Sequence, residues 1–180
     1  MITLRQLTKE DAANYRRVRL LGLQESPIAF SSSYAREEKI GLDDFAQRLE
    51  PTPVHWVVGA FAGQELVGVI GFMREGGDKT QHKGFIWGVY VIPTSRGSGV
   101  GRALLEETLS RLDALHGLRS VRLAVATSNE IAIRLYEELG FIRYGEEPEA
   151  LCVDGVFHSQ YLMVRKTKGA QPGARPNDHG

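Results

Sequence analysis

The segment VYVIPTSRGSGVGRALL, residues 89–105, constrains this chain more than any other stretch. An apolar strand runs into Pro93, a glycine-rich turn follows, and a helix opens at once. Glycines at 97, 99 and 101 let the backbone curl so that several N–H groups converge on one small volume. The helix behind them adds the unpaired donors of its first turn and the positive end of its dipole. Such a cradle suits a phosphate, and Arg96 and Arg102 flank it with positive charge. The spacing G-x-G-x-G excludes the dinucleotide fingerprint, which needs a third glycine at a different offset. The absence of G-K-[ST] excludes a P-loop.

Around this segment the periodicity predicts an α/β domain. Ile2 and Leu4 begin a strand. Thr8 with Asp11 reads as a capping box, followed by helical spacing of Tyr15, Val18 and Leu21 to about Leu23. Residues 24–33 read as loop, and 34–48 as a second helical stretch interrupted near Gly41. Strands are expected over 54–61, 66–72 and 84–91, forming a three-strand meander. A helix over 99–116 should bury Val100, Leu104, Thr108, Leu112 and Leu115, with Gly117 as its C-cap. Val121, Leu123 and Val125 alternate as a strand. Thr127 and Glu130 then read as a capping box for a helix carrying Ile131, Leu135 and Leu139 on one face, ended by Gly140. Short strands at 141–144 and 157–164 complete a mixed, mostly antiparallel seven-stranded central sheet flanked by about four helices. The domain is expected to end at residue 166. Residues 167–180 lack apolar anchors and read as a disordered tail.

Composition excludes several classes of function. In 180 residues, 22 basic side chains balance 22 acidic ones, so no overall field favours nucleic acid or an anionic membrane. No apolar run approaches the roughly 20 residues of a bilayer span, and the N-terminus lacks the layout of a signal peptide. The single cysteine, Cys152, excludes an intrachain disulfide and fits a reducing cytoplasm. The five histidines are scattered without ligand spacing, so no metal site is expected.

Residues 96–101 and 123–141 together carry a family resemblance. Arg96, Gly99 and Gly101 fill the defined positions of Q/R-x-x-G-x-G/A. The later stretch LAVATSNEIAIRLYEELGF sets Asn129 before A-x-x-L-Y-x-x-x-G-F, matched by Ala132, Leu135, Tyr136, Gly140 and Phe141. In this order and separation, the two motifs resemble those of the GNAT superfamily of N-acetyltransferases, over roughly residues 1–166.

The resemblance implies acetyl-CoA as co-substrate. Its pyrophosphate would lie on Arg96, Gly97, Ser98, Gly99, Val100, Gly101 and Arg102, and its pantetheine on Val89, Tyr90, Val91 and Asn129. Asn129 can also serve as a plain helix cap. Tyr136, about two helical turns further on, reads from the residues alone as a core aromatic; the resemblance assigns it proton donation to the departing thiolate. The acceptor is expected to be a primary amine of a small molecule or peptide. An ammonium of pKa ~10.4 is about one part in a thousand neutral at pH ~7.4, a cost of roughly 4 kcal/mol.

No base is evident, because positions where relatives carry Glu hold Phe85 and Ala124. His82 is the nearest titratable candidate, acting directly or through water; it also reads as an exposed hairpin-end histidine. Phe30 and Tyr161 are expected to wall an apolar channel for an uncharged amine. Glu25, or the pair Glu146 and Glu147, could attract a cationic substrate. A non-catalytic acyl-CoA-binding or sensing module is the alternative from another class, and a homodimer is compatible with either reading.

Overall fold

The computed structural model describes residues 1–169. Seven strands form one sheet in the order β1-β2-β3-β4-β5-β7-β6. They are β1 (Ile2–Gln6), β2 (His55–Ala62), β3 (Glu65–Arg74), β4 (Lys83–Val91), β5 (Ser120–Ala126), β6 (Ile142–Val153) and β7 (Val156–Lys166). Every neighbouring pair is antiparallel except β4 with β5. The helices are α1 (Ala12–Glu25), α2 (Tyr34–Glu37), α3 (Leu42–Leu49), α4 (Val100–Asp113) and α5 (Glu130–Glu138). The break expected near Gly41 divides one anticipated helix into α2 and α3, which raises the count to five.

Opposite faces of the sheet carry different helices. Adjacent residues of a strand point to opposite sides. A Cβ on Gly22 of α1 would touch the Tyr90 ring at 3.1 Å, whereas one on Gly101 of α4 would lie 3.9 Å from Val91 Cγ2. Thus α1 packs on the Tyr90 face and α4 on the Val91 face. The core follows the expected α4 stripe: Val100, Leu104, Thr108 and Leu112 are buried, joined by Leu105 and Leu109. Thr8 N–H donates to Asp11 Oδ2 (2.9 Å), as the capping box requires, and Arg5 grips the same carboxylate with two bonds of 2.7 Å. Arg16 and Arg17 are more than solvated charge: each donates 2.8 Å to a distant carbonyl, of Glu38 and Leu66 respectively.

Several expectations shift. β6 runs for 12 residues rather than a short 141–144 segment. It is the edge strand, so the N–H that Pro148 lacks is not required by a neighbour. Its register slips between Glu147 and Leu151, which breaks the alternation that would have revealed it. Helix α4 stops at Asp113, leaving Gly117 in the following turn with φ +73°. The cap of α5 is Asn129, whose side chain accepts from Ala132 N–H at 3.2 Å, not the Thr127–Glu130 box. Its buried face is Ile133 and Tyr136, while Ile131 is 85% exposed. Thr167 is buried and bonded through its N–H to Arg119 O (3.1 Å), and Lys168 N–H donates to Asp113 Oδ1 (2.9 Å). The tail expected from 167 therefore has an anchored beginning, and its remainder, 170–180, lies outside the described residues.

Candidate active site

The site begins with a defect in the sheet. β4 and β5 pair only at Lys83–Ser120, Gly84–Val121 and Phe85–Arg122, then separate. Each stays paired on its other side, β4 with β3 as far as Val91 and β5 with β7 as far as Ala126. β4 also carries one extra residue: Val69 faces Tyr90 but Gly71 faces Trp87. This bulge falls at Gly88, whose φ of +62° suits glycine. The parted strands leave backbone groups of residues 86–91 without a ladder partner, facing a gap.

A cavity of about 620 Å³ fills that gap, and Val89, Tyr90, Val91, Arg96, Gly101, Asn129 and Tyr136 all line it. At its outer end lies the glycine turn. Gly97 (φ +73°) and Gly99 (φ +84°) adopt left-handed backbone, and Gly99 is the N-cap of α4. Among the described residues, the N–H groups of 97 through 102 donate to no backbone or side-chain acceptor; the first helical bond is Ala103 N–H to Gly99 O at 3.0 Å. Six consecutive unsatisfied donors at a helix start form an anion cradle. Gly97, Ser98 and Gly99 are exposed there, and Val100 contributes only its amide, since its side chain is 2% exposed in the core.

The two arginines are held differently from the expectation. Arg96 donates from Nη1 and Nη2 to Glu25 (2.9 and 2.5 Å) and from Nε to Val91 O (3.0 Å). Its charge is thus matched by Glu25, and it ties the end of α1 to the glycine turn. Glu25 is not available to draw in a cation: Arg96, with help from Ser26, holds its pKa down to about 2. Arg102 pairs with Glu138 of α5 and reaches Glu106 at 3.8 Å.

Tyr136 sits at the inner part of the cavity, 6% exposed and edge-on to Phe141. Its hydroxyl makes no hydrogen bond among the described residues, and burial pushes its pKa up to about 12. The phenol therefore stays protonated at any ordinary pH.

A second cavity, about 380 Å³, opens on the α1 face of the same gap and shares Ile86, Trp87, Gly88, Ala124 and Gln160 with the first. Phe30 lines it. Tyr161 does not: its strand neighbours Gln160 and Leu162 do, so alternation turns Tyr161 to the other face, where Arg143 lies 4.4 Å from its ring. His82 is also misplaced as a base. It is exposed in the turn before β4, at the closed end where β4 and β5 are paired, and its carbonyl accepts from Arg119 N–H at 2.7 Å. It lines neither cavity.

Sequence reasoning missed Trp87, Arg19, Arg122 and Gln160 as lining residues. Period-two counting along β7 groups Gln160 with Leu162 and sets Tyr161 apart, but only the register against β5 decides which set lines the cavity. Nothing local in the sequence marks Arg19. Phe85 and Ala124 do line the cavity, so the carboxylate missing from both positions is missing from its wall. Among the described residues there is no group of three or more metal-ligating side chains, and no helix is long and apolar enough to cross a membrane.

Comparison with known proteins agrees with this geometry. The family model for the Acetyltransferase (GNAT) family matches residues 20–141, and the chain belongs to that family. It is 46% identical over 70 residues to a mycothiol acetyltransferase of Streptosporangium roseum, covering 39% of this chain and 20% of that protein. It is 34% identical over 80 residues to an L-2,4-diaminobutyric acid acetyltransferase of Nocardia farcinica, covering 44% of this chain and 39% of that protein. The chain thus spans well under half the length of these curated relatives. Its fold is similar to that of yncA from Salmonella typhimurium, solved with its cofactor acetyl-CoA (TM-score 0.81, 19% identity, 99% of each chain). A GNAT-family acetyltransferase from Streptococcus pneumoniae is similarly close in fold (TM-score 0.79, 21% identity, 93% of this chain and 99% of that one).

Proposed function

We propose that the protein is an acetyl-CoA-dependent N-acetyltransferase that moves an acetyl group to a primary amine by direct attack in a ternary complex. The observation that carries this reading is the gap between β4 and β5, with an anion cradle at one end, Tyr136 within and a second cavity beyond. Acetyl-CoA supplies an acyl thioester. The amides of 97–102 would hold its diphosphate, and unpaired backbone groups of Val89 to Val91 would hold the pantetheine and polarise the acetyl carbonyl. Asn129 borders the same channel. Its side-chain oxygen is engaged by the Ala132 amide, which leaves the NH2 group to face a ligand.

The atoms balance without an enzyme-bound acyl group. The neutral amine attacks, an N–C bond forms and the C–S bond breaks. Tyr136 Oη gives a proton to the leaving sulfur, the new amide nitrogen sheds one of its protons to water, and water returns a proton to Tyr136 Oη, so that amide and CoA thiol are the products and the phenol is regenerated. Small-molecule acceptors are favoured over peptides by the relatives' names and by a cavity of about 380 Å³. A cytoplasmic location is part of the proposal.

The cavity wall without a carboxylate favours a second reading, a non-catalytic acyl-CoA-binding module. Release of CoA thiol, followed across an amine panel with wild type and Tyr136→Phe, separates the two. The enzyme reading expects turnover that falls about 10- to 1000-fold in the variant with acetyl-CoA affinity retained. Acetyl-CoA binding without thiol release for any amine would leave the module.

A further inference from the structure

We infer that the α1-side cavity takes an amine whose molecule also carries an anionic group, a carboxylate or a phosphate. This rests on the acetyltransferase reading above and names its substrate class. Arg19 and Arg122 line the cavity from opposite elements, α1 and β5, and among the described residues no aspartate or glutamate does. Each arginine is paired with one carboxylate, and a second cation shares that carboxylate. Glu37 accepts two bonds from Arg19 (2.9 and 3.0 Å) and is also shared with Arg48 at 3.4 Å. Glu75 pairs with Arg122 and is also shared with Lys83 at 3.6 Å. Each cluster sets two cations against one carboxylate and so carries one surplus positive charge, with Arg19 and Arg122 the members that line the cavity and Arg48 and Lys83 outside its lining.

The hydrogen-bonding inventory agrees. Among the described residues, two buried nitrogen donors lack any acceptor, Trp87 Nε1 and Arg122 Nε, and both belong to side chains of this wall. The remaining polar lining, Ser31, Tyr144 and Gln160, can donate as well as accept. An acceptor-rich anion complements such a wall, whereas a purely cationic amine would meet like charge on both sides. The same surplus charge disfavours the ammonium form of a bound amine. It thereby assists deprotonation where the wall presents Phe85 and Ala124 in place of a carboxylate base. The uncharged-amine channel expected from Phe30 and Tyr161 is replaced by a basic one.

The test pairs each acidic amine with its neutral counterpart: amino acids against their amides, and aminoethyl phosphate against aminoethanol. CoA release and binding of the same compounds to CoA-loaded protein are both measured. At least one acidic member should exceed its partner by about 10-fold or more in kcat/KM or affinity, as expected of a charge-assisted contact. The arm that responds identifies carboxylate or phosphate. Arg122→Gln should collapse that ratio to within about 3-fold, and Arg122→Lys should restore part of it, which a merely unfolded variant cannot do. Equal handling of acid and neutral partner by wild type, no acidic member reacting or binding, or an unchanged ratio in Arg122→Gln would each overturn the proposal. The binding arm reads out even if turnover is absent, and loss of CoA binding itself would instead strike the acetyltransferase reading.

Discussion

Burial raises the pKa of the Tyr136 phenol to about 12, above the ~10.4 of a free alkylammonium acceptor. The rate should therefore rise with pH as the acceptor loses its proton and reach a plateau. A falling limb below about pH 10 would mean that another group is the acid. The two motif glycines differ in kind. Gly99 needs its left-handed φ of +84°, so Gly99→Ala should lower apo stability by about 1–2 kcal/mol despite open space around the new Cβ. Gly101 has ordinary helical backbone, and its Cβ would sit 3.9 Å from its neighbours. Gly101→Ala should leave apo stability equal or up to about 1 kcal/mol higher. It should still reduce the thermal shift caused by acetyl-CoA, because that position borders the channel. Differential scanning of both variants, with and without acetyl-CoA, checks the contrast.

At the scale of elements, the bulged β4 depends on what its neighbour omits. The Trp87 indole lies directly over Gly71 of β3 and stacks on His55 of β2 at 5.7 Å. A Cβ at 71 would collide with that ring. Gly71→Ala should displace Trp87 from the wall common to both cavities, at about 1–3 kcal/mol of stability for overpacking. Under the proposed function, acceptor KM should change more than acetyl-CoA affinity, since Trp87 lines the α1-side cavity while the glycine turn lies at the far end of the other one. Steady-state kinetics beside urea unfolding would test this, and unchanged acceptor KM in a folded variant would count against Trp87 as a wall residue.

Across the whole molecule, the sheet opening is held by ties between distant segments. Arg96 and Glu25 join the end of α1 to the glycine turn, 71 residues apart, and Tyr90 Oη adds a bond to Glu25 at 3.2 Å. The carboxyl is depressed from 4.5 to about 2, so its stabilising contribution is complete above the unfolded value and is lost as pH falls from about 4.5 towards 2. The side chain is a third exposed, which limits the effect to about 1 kcal/mol or less. The stability gap between wild type and Glu25→Gln should be constant above pH ~5 and close on acidification. Acetyl-CoA bound to the native state alone should raise the melting temperature, with about 2.7 kcal/mol of stabilisation at 100 times Kd.

Local patterns made much of this legible in the sequence. Glycines at 97, 99 and 101 between a strand and a helix dictate unpaired amides, because the helix start leaves donors that no local partner can reach. Apolar periodicity marked six strands over most of their length, only the start of β6, and the buried stripe of α4. Asn129 and Tyr136 lie on one helix, so their separation along it follows from helical rise. What crosses between elements was decided by tertiary structure. Whether Tyr161 or Leu162 faces the acceptor depends on β7's register against β5, and no residue of β7 alone sets that parity. Arg96 meets Glu25, rather than standing unpaired over the cradle, because α1 ends beside the glycine turn. His82 lies at the paired end of β4, and its distance from the opening exists only once β5 has parted from β4. The two arginines of the α1-side cavity, Arg19 and Arg122, come from positions 103 apart, each with a carboxylate partner that another cation shares. A net charge of zero conceals that local surplus, because charge acts over ångströms in space and not along the chain.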